Sequence, residues 1–86
     1  MSSHPTNFEG SIVDALKAAI INHIPDSRVE VSGGGGHFSI EVISPVFDGK
    51  GMLASQRLVY DAITHLMKGD NAPVHAIDSL KTRTPG

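Results

Sequence analysis

The most constraining feature of this 86-residue chain is an unbroken run of four glycines, Gly33–Gly36, between two segments of alternating side chains. Before the glycines, residues 27–32 place Val29 and Val31 on one side of an extended chain and polar residues on the other. After the glycines, residues 37–44 alternate in the same way. A period of two is typical of a half-buried β-strand, and two such runs around a glycine loop predict an antiparallel hairpin.

A first helix is predicted before the hairpin, because apolar residues recur there every three or four positions. Thr6 and Glu9 have the spacing of a capping box, whereas Ser11 offers a second start. Pro25 disfavours the helical conformation of the residue before it, so the helix is expected to end there. The periodic residues are Phe8, Ile12, Val13, Leu16, Ala19, Ile20 and Ile24.

A second helix and a third strand are predicted after the hairpin. Ser55 is the expected cap of the helix, with a short helical turn that begins nearer Met52 as the alternative, and Gly69 is the expected terminator. The periodic residues are Leu58, Val59, Ala62, Ile63, Leu66 and Met67. Residues 74–80 are rich in apolar side chains and predict the third strand, followed by a polar tail over residues 81–86.

This order of elements predicts one α+β domain, in which helices pack on one face of a mixed three-stranded sheet. The domain is expected over residues 9–82, with flexible segments at 1–8 and 83–86. The connection from the second strand through the helix to the third should be a right-handed parallel crossover. The starts of those two strands, with His37 and His75, would then lie at the same end of the sheet.

Composition excludes several classes of function. The formal net charge of −2 disfavours a strongly basic nucleic-acid binder. The absence of cysteine excludes a disulfide framework, a thiolate nucleophile and a self-sufficient cysteine-ligated metal site. No apolar stretch approaches the roughly 18 residues of a membrane span, and the first residues do not resemble a secretory signal. A cytoplasmic protein without membrane association is therefore expected.

Catalytic motifs are also missing from the sequence. A phosphate-binding loop is disfavoured because the glycines join two strands and because Lys50 precedes Gly51 rather than Ser or Thr. No serine lies in a Gly-x-Ser-x-Gly motif. Asp48 and Asp78 lie on different elements and are interpreted as solvated carboxylates. We therefore expect a protein that is not an enzyme.

Four of the five histidines divide into two groups, and the fifth, His4, lies in the predicted flexible first segment. His23 and His65 lie near the predicted carboxyl ends of helices, where a partly charged imidazole is mildly favourable. His37 and His75 are candidate metal ligands, since neutral imidazole is a common ligand, although ordinary surface histidines remain the simpler alternative. Two ligands leave a site incomplete, so a partner would have to supply the others.

Four fragments of the chain resemble the BolA-like family in their order and spacing. They are Gly36-His37-Phe38, Ser44-x-x-Phe47-Asp48-Gly49-Lys50, Arg57-Leu58-Val59-Tyr60 and Val74-His75-Ala76-Ile77. The resemblance implies an αββααβ fold similar to a class II KH domain. It also implies a partnership with a monothiol glutaredoxin and a 2Fe–2S cluster shared with that glutaredoxin and glutathione, in cluster trafficking or iron regulation. No cofactor is expected on the isolated protein.

The resemblance assigns roles to particular residues. His75 corresponds to the near-invariant family histidine, and His37 to a position that is His in one subgroup and Cys in another. Both are thereby implied as metal ligands, and the chain would belong to the histidine-loop subgroup. Residues implied in partner binding are Phe47, Asp48, Gly49, Lys50 and Arg57. The adjoining flexible loop would consist of Gly33, Gly34, Gly35 and Gly36.

The chain also departs from the family pattern. Ser55-Gln56-Arg57 stands where members often have Arg-His-Arg, so any role of the middle histidine is absent. The third strand is one residue longer than usual, which predicts a β-bulge near Asp78 and Ser79. Some relatives are described as DNA-binding regulators of morphology or stress response, so a nucleic-acid-binding role is the alternative. The free protein is expected to be a monomer or a weak homodimer.

Overall fold

A computed structural model gives the fold of residues 4–86 and describes side chains from residue 12 onward. The main elements are α1 (His4–His23), β1 (Arg28–Gly34), β2 (His37–Ile43), α2 (Met52–Ile63) and β3 (Ala76–Arg83). Short 3-10 helical turns at Pro45–Phe47 and Thr64–Leu66 flank α2. The helical connection between β2 and β3 is thus divided into pieces, and the α+β order of the elements is confirmed.

The three strands form one sheet in the order β1-β2-β3. β1 and β2 pair antiparallel, as the predicted hairpin requires. β2 and β3 pair parallel, with His37 opposite Ala76 at one end and Ile43 opposite Arg83 at the other. The predicted parallel crossover is therefore confirmed.

The hairpin loop is shorter than the four glycines suggested. β1 continues through Gly34, which pairs with His37, so only Gly35 and Gly36 form the turn. Their φ angles are +63° and +87°. Positive φ at both central residues is the requirement of the two-residue turn whose twist matches that of the flanking strands, and glycine meets it without steric cost.

β3 contains the predicted β-bulge. Phe38 pairs with Ile77, but the next residue of β2, Ser39, pairs with Ser79. Asp78 is therefore an extra residue with no partner of its own on β2. The predicted β-bulge is thereby confirmed as a one-residue insertion into an otherwise regular parallel ladder.

The core lies between the helices and the inner face of the sheet. Phe38, Ile40 and Val42 alternate inward along β2 and are buried. They join one apolar cluster with Leu16 and Ile20 of α1, Val59 and Ile63 of α2, and further residues of the loops and β1. The predicted packing of the helices on one face of the sheet is confirmed.

The bounds of β3 differ from those expected. The strand begins at Ala76 and continues to Arg83, whose carbonyl accepts a hydrogen bond of 3.0 Å from the amide of Ser44. Lys81 and Arg83 are exposed while Thr82 is half-buried. Alternating exposed and half-buried side chains are typical of a strand in a sheet with one solvated face. The sequence instead predicts a polar tail over these residues, because none of residues 81–83 is apolar.

Two predictions concern the start of the chain. Residues 1–3 of the predicted flexible segment, and the side chains of the predicted Thr6 and Glu9 capping box, lie outside the described residues. Within residues 4–86, no helix has the length and apolar character needed to cross a membrane.

Candidate functional site

The two candidate histidines lie at the same end of the sheet, as the parallel crossover predicts. His37 is the first residue of β2, and His75 immediately precedes β3. The carbonyl oxygen of Gly36 accepts hydrogen bonds from the amides of His75, at 2.7 Å, and Ala76, at 3.0 Å. The residue before His37 is therefore bonded directly to the backbone of His75, which holds the two positions together.

The imidazole of His37 contacts the inserted residue of β3. Its Nδ1 lies 3.1 Å from Oδ1 of Asp78, and the two side chains are 59% and 57% exposed. When Nδ1–H donates a hydrogen bond to this carboxylate, Nε2 of the neutral ring is unprotonated and is the nitrogen able to bind a metal ion.

Asp78 is a site residue that the sequence analysis did not identify. It was interpreted as a solvated carboxylate, and it is exposed, but it also orients His37. The signal that could have found it was the predicted bulge itself. The bulge was predicted near Asp78 and Ser79, and its extra residue lies in the strand that pairs with β2, beside His37.

The imidazole of His75 is exposed and lies against the backbone of Gly36. A Cβ atom placed on Gly36 would overlap Cδ2 of the ring and lie 2.9 Å from Cγ. Gly36 thus has two functions, since its positive φ completes the hairpin turn and its missing side chain makes room for the imidazole. A cavity of about 240 Å³, bordered by Ile12, Pro73 and His75 among others, adjoins the ring.

The two imidazoles alone are too few donors for a metal site. Among the described residues, no group of three or more His, Cys, Asp or Glu side chains is arranged to hold a metal ion. The sequence has no cysteine to complete one. Tetrahedral iron or zinc requires four donors, so this end of the sheet can ligate a metal only together with groups from another molecule.

The predicted partner-binding residues lie at the other end of β2. Asp48, Gly49 and Lys50 form an exposed turn that follows the carboxyl end of the strand, whereas His37 lies at its amino end. A seven-residue strand separates these ends by about 20 Å at ~3.3 Å per residue. Phe47 is buried and supports the turn from beneath, while the side chain of Arg57 is exposed on α2.

The remaining described histidines lie elsewhere. His23 and His65 border a separate cavity of about 330 Å³, together with Asp61 and nearby residues of α1 and α2. His23 is in the last turn of α1, and His65 lies in the 3-10 turn after α2. They are near helix carboxyl ends, as predicted, and they do not join the site of His37 and His75.

The fold and site define an α+β domain that presents two imidazoles at the amino ends of adjacent parallel strands. The family model of the BolA-like protein matches residues 12–86 of this sequence. The chain belongs to the BolA-like family. The resemblance found in the four sequence fragments is thereby confirmed at the level of the family.

Individual relatives agree with this assignment. The chain is 31% identical over 70 residues to the acid stress protein IbaG of Escherichia coli K12, a match that covers 81% of this chain and 80% of that protein. It is 38% identical over 74 residues to the protein BOLA2 of Arabidopsis thaliana, covering 85% and 75% respectively. A bolA homologue from Coxiella burnetii has a similar structure, with a TM-score of 0.68, 41% identity and coverage of 81% and 86%.

Proposed function

We propose that this BolA-like protein binds a monothiol glutaredoxin and shares with it a glutathione-ligated 2Fe–2S cluster, in cluster trafficking or iron regulation. It acts as a binding protein rather than an enzyme. The observation that supports this most directly is the incomplete donor set at one end of the sheet. Two exposed imidazoles are placed on bonded neighbouring strands, one of them oriented by a carboxylate, without a third donor among the described residues.

The chemistry of the cluster fits these donors. A 2Fe–2S cluster takes four ligands, and two imidazoles can replace two thiolates on one iron, which raises the reduction potential. His37, through Nε2, and His75 would bind one iron, while the glutaredoxin cysteine and glutathione bind the other. The cluster is the cargo of the complex, and the isolated protein holds none. A reducing, glutathione-containing compartment such as the cytoplasm suits this exchange.

The two histidines are expected to contribute unequally. The backbone of His75 is held by Gly36, and its ring lies against that residue, so little order has to be gained on binding. The ring of His37 is more than half exposed and is held by one contact with Asp78. Loss of His75 should therefore abolish the shared cluster, whereas loss of His37 should weaken or alter it.

The test is to mix the protein with a cluster-loaded, glutathione-bound monothiol glutaredoxin and to record visible circular dichroism. Wild type should produce a new spectrum and a co-eluting coloured complex. His75→Ala should give the spectrum of the glutaredoxin alone, His37→Ala a weaker or altered one, and the control His23→Ala the wild-type spectrum. Equal spectra for wild type and His75→Ala would refute the assignment of the ligand.

A further inference from the structure

A groove lies at the opposite end of the sheet from the two histidines, along the free edge of β3. Its volume is about 660 Å³, and it runs between the carboxyl half of β3 and the beginning of α2. Lys50, Met52 and Gln56 line the helical side, and residues 80–84 line the strand side. Met52, which is 75% exposed, presents an apolar side chain to solvent at the groove, and the next residue, Leu53, is 70% exposed.

The edge of β3 in this groove has backbone groups that are not paired with another strand. Within the described residues, β3 pairs with β2 alone. The carbonyl of Arg83 accepts a hydrogen bond from the amide of Ser44, so the backbone groups of Arg83 face β2. Successive residues of a parallel strand direct their backbone groups to opposite sides, so those of Leu80 and Thr82 face away from β2. The position of Gln56 agrees with this, because its side-chain amide donates a hydrogen bond of 3.3 Å to the carbonyl of Leu80.

The charge of the groove is opposite to that of the whole chain. Three of the seven Lys and Arg residues line it (Lys50, Lys81 and Arg83), against one of the nine Asp and Glu residues, Glu41. Arg83 is paired with Glu41 at 3.0 Å. Among the described residues, Lys50 and Lys81 take part in neither of the two ion pairs present. A chain of net charge −2 therefore has a locally cationic groove.

We propose that this groove binds an extended, acidic segment of a partner protein as an additional strand on the edge of β3. The backbone of the segment bonds to Leu80 and Thr82, and displaces the side chain of Gln56. Its acidic side chains lie near Lys50 and Lys81, and its apolar side chains pack beside Met52. This mode of recognition takes affinity from the main chain and specificity from alternate side chains. Because the groove and the histidines lie at opposite ends of β2, a segment bound in the groove leaves the two imidazoles uncovered.

The experiment is a titration of the ¹⁵N-labelled protein, followed by NMR, with a capped seven-residue peptide that alternates valine and glutamate. The control peptide has lysine in place of glutamate. Amide shifts and slowed hydrogen exchange are expected at Leu80 and Thr82, without shifts at His37 or His75, and only with the acidic peptide. Equal responses to both peptides, or shifts that do not localise to the groove, would overturn the proposal.

Two pairs of variants separate the main-chain and charge contributions. Thr82→Pro removes the backbone amide proton at the edge, which an edge strand tolerates. Thr82→Val keeps this amide proton and has a side chain of similar shape. The proline variant should bind at least tenfold more weakly, and the valine variant within twofold of wild type. Replacing both lysines, Lys50→Glu with Lys81→Glu, should abolish binding of the acidic peptide even if Thr82→Pro fails to fold. If the free protein sediments as a dimer and Thr82→Pro makes it a monomer, a second copy of the chain occupies the edge of β3 and the proposal is wrong.

Discussion

The contact between Gly36 and His75 can be tested by adding a single methyl group. In Gly36→Ala the new Cβ would overlap the imidazole of His75, so the ring has to turn away from its present position. Gly35→Ala is a matched control, because Gly35 is the other residue of the same turn and a Cβ there meets nothing within 4 Å. Both residues have positive φ, +63° for Gly35 and +87° for Gly36.

The expected magnitudes follow from this geometry. A non-glycine residue in the left-handed region destabilises the folded state by about 1–2 kcal/mol. Replacing glycine by alanine also lowers the conformational entropy of the unfolded chain, which stabilises the fold by about 0.4–1 kcal/mol. Each variant should therefore lose about 1 kcal/mol in free energy of unfolding, which lowers the Tm by about 4–8 °C in a domain of this size. The ring of His75 is exposed and can rotate into solvent, so the overlap itself should add little to the loss in Gly36→Ala.

The assay combines urea denaturation with NMR of the histidine side chains. The two variants should be destabilised to a similar degree, while only Gly36→Ala shifts the ring resonances of His75 and weakens the shared cluster. Unchanged His75 resonances in Gly36→Ala, or equal changes in Gly35→Ala, would refute the packing described here. If Gly36→Ala instead lost several kcal/mol more than its control, the ring of His75 would be a structural element that cannot turn away.

Two further predictions concern single side chains. Asp78→Ala should shift the neutral tautomer of His37 away from the form protonated at Nδ1, because the side chain that accepts a hydrogen bond from Nδ1 is removed. ¹⁵N NMR of the imidazole measures the tautomer ratio, and an unchanged ratio would contradict the orienting role. Ser44→Ala should destabilise the fold by about 1–3 kcal/mol, since the buried hydroxyl donates to the carbonyl of Pro25 at 2.9 Å and accepts from the amide of Val46 at 3.2 Å. Ser39→Ala, on the half-buried outer face, is the control and should change the free energy of unfolding by no more than about 0.5 kcal/mol in either direction.

The sequence predicted the parts of the fold that depend on periodicity. The alternation of Phe38, Ile40 and Val42 and the helical spacing around Val59 identified the core correctly. The length of the hairpin turn could not be predicted from the periodicity of side chains. Gly33 and Gly34 have no side chains whose alternation could mark them as part of β1, so the strand was predicted to end before them.

The site was predicted only in part. The placement of His37 and His75 at one end of the sheet followed from the parallel crossover, which depends on topology alone. Whether each ring faces solvent, and what it contacts, depends on the turn of Gly35 and Gly36 and on the register of β3. Those details are settled by packing between residues about 40 positions apart, as in the contact of His37 with Asp78.

The insertion of Asp78 gives β3 a carboxylate without disturbing the core. Ile77 and Leu80 both pack against the core, although they are three residues apart, a spacing that a regular strand with a period of two does not allow. The bulge absorbs the extra residue, so that Ser79, Lys81 and Arg83 still pair with consecutive alternate residues of β2. Inward and outward faces therefore keep their order on both sides of the bulge. The added side chain lies beside His37, where its carboxylate contacts Nδ1 of this candidate ligand at 3.1 Å.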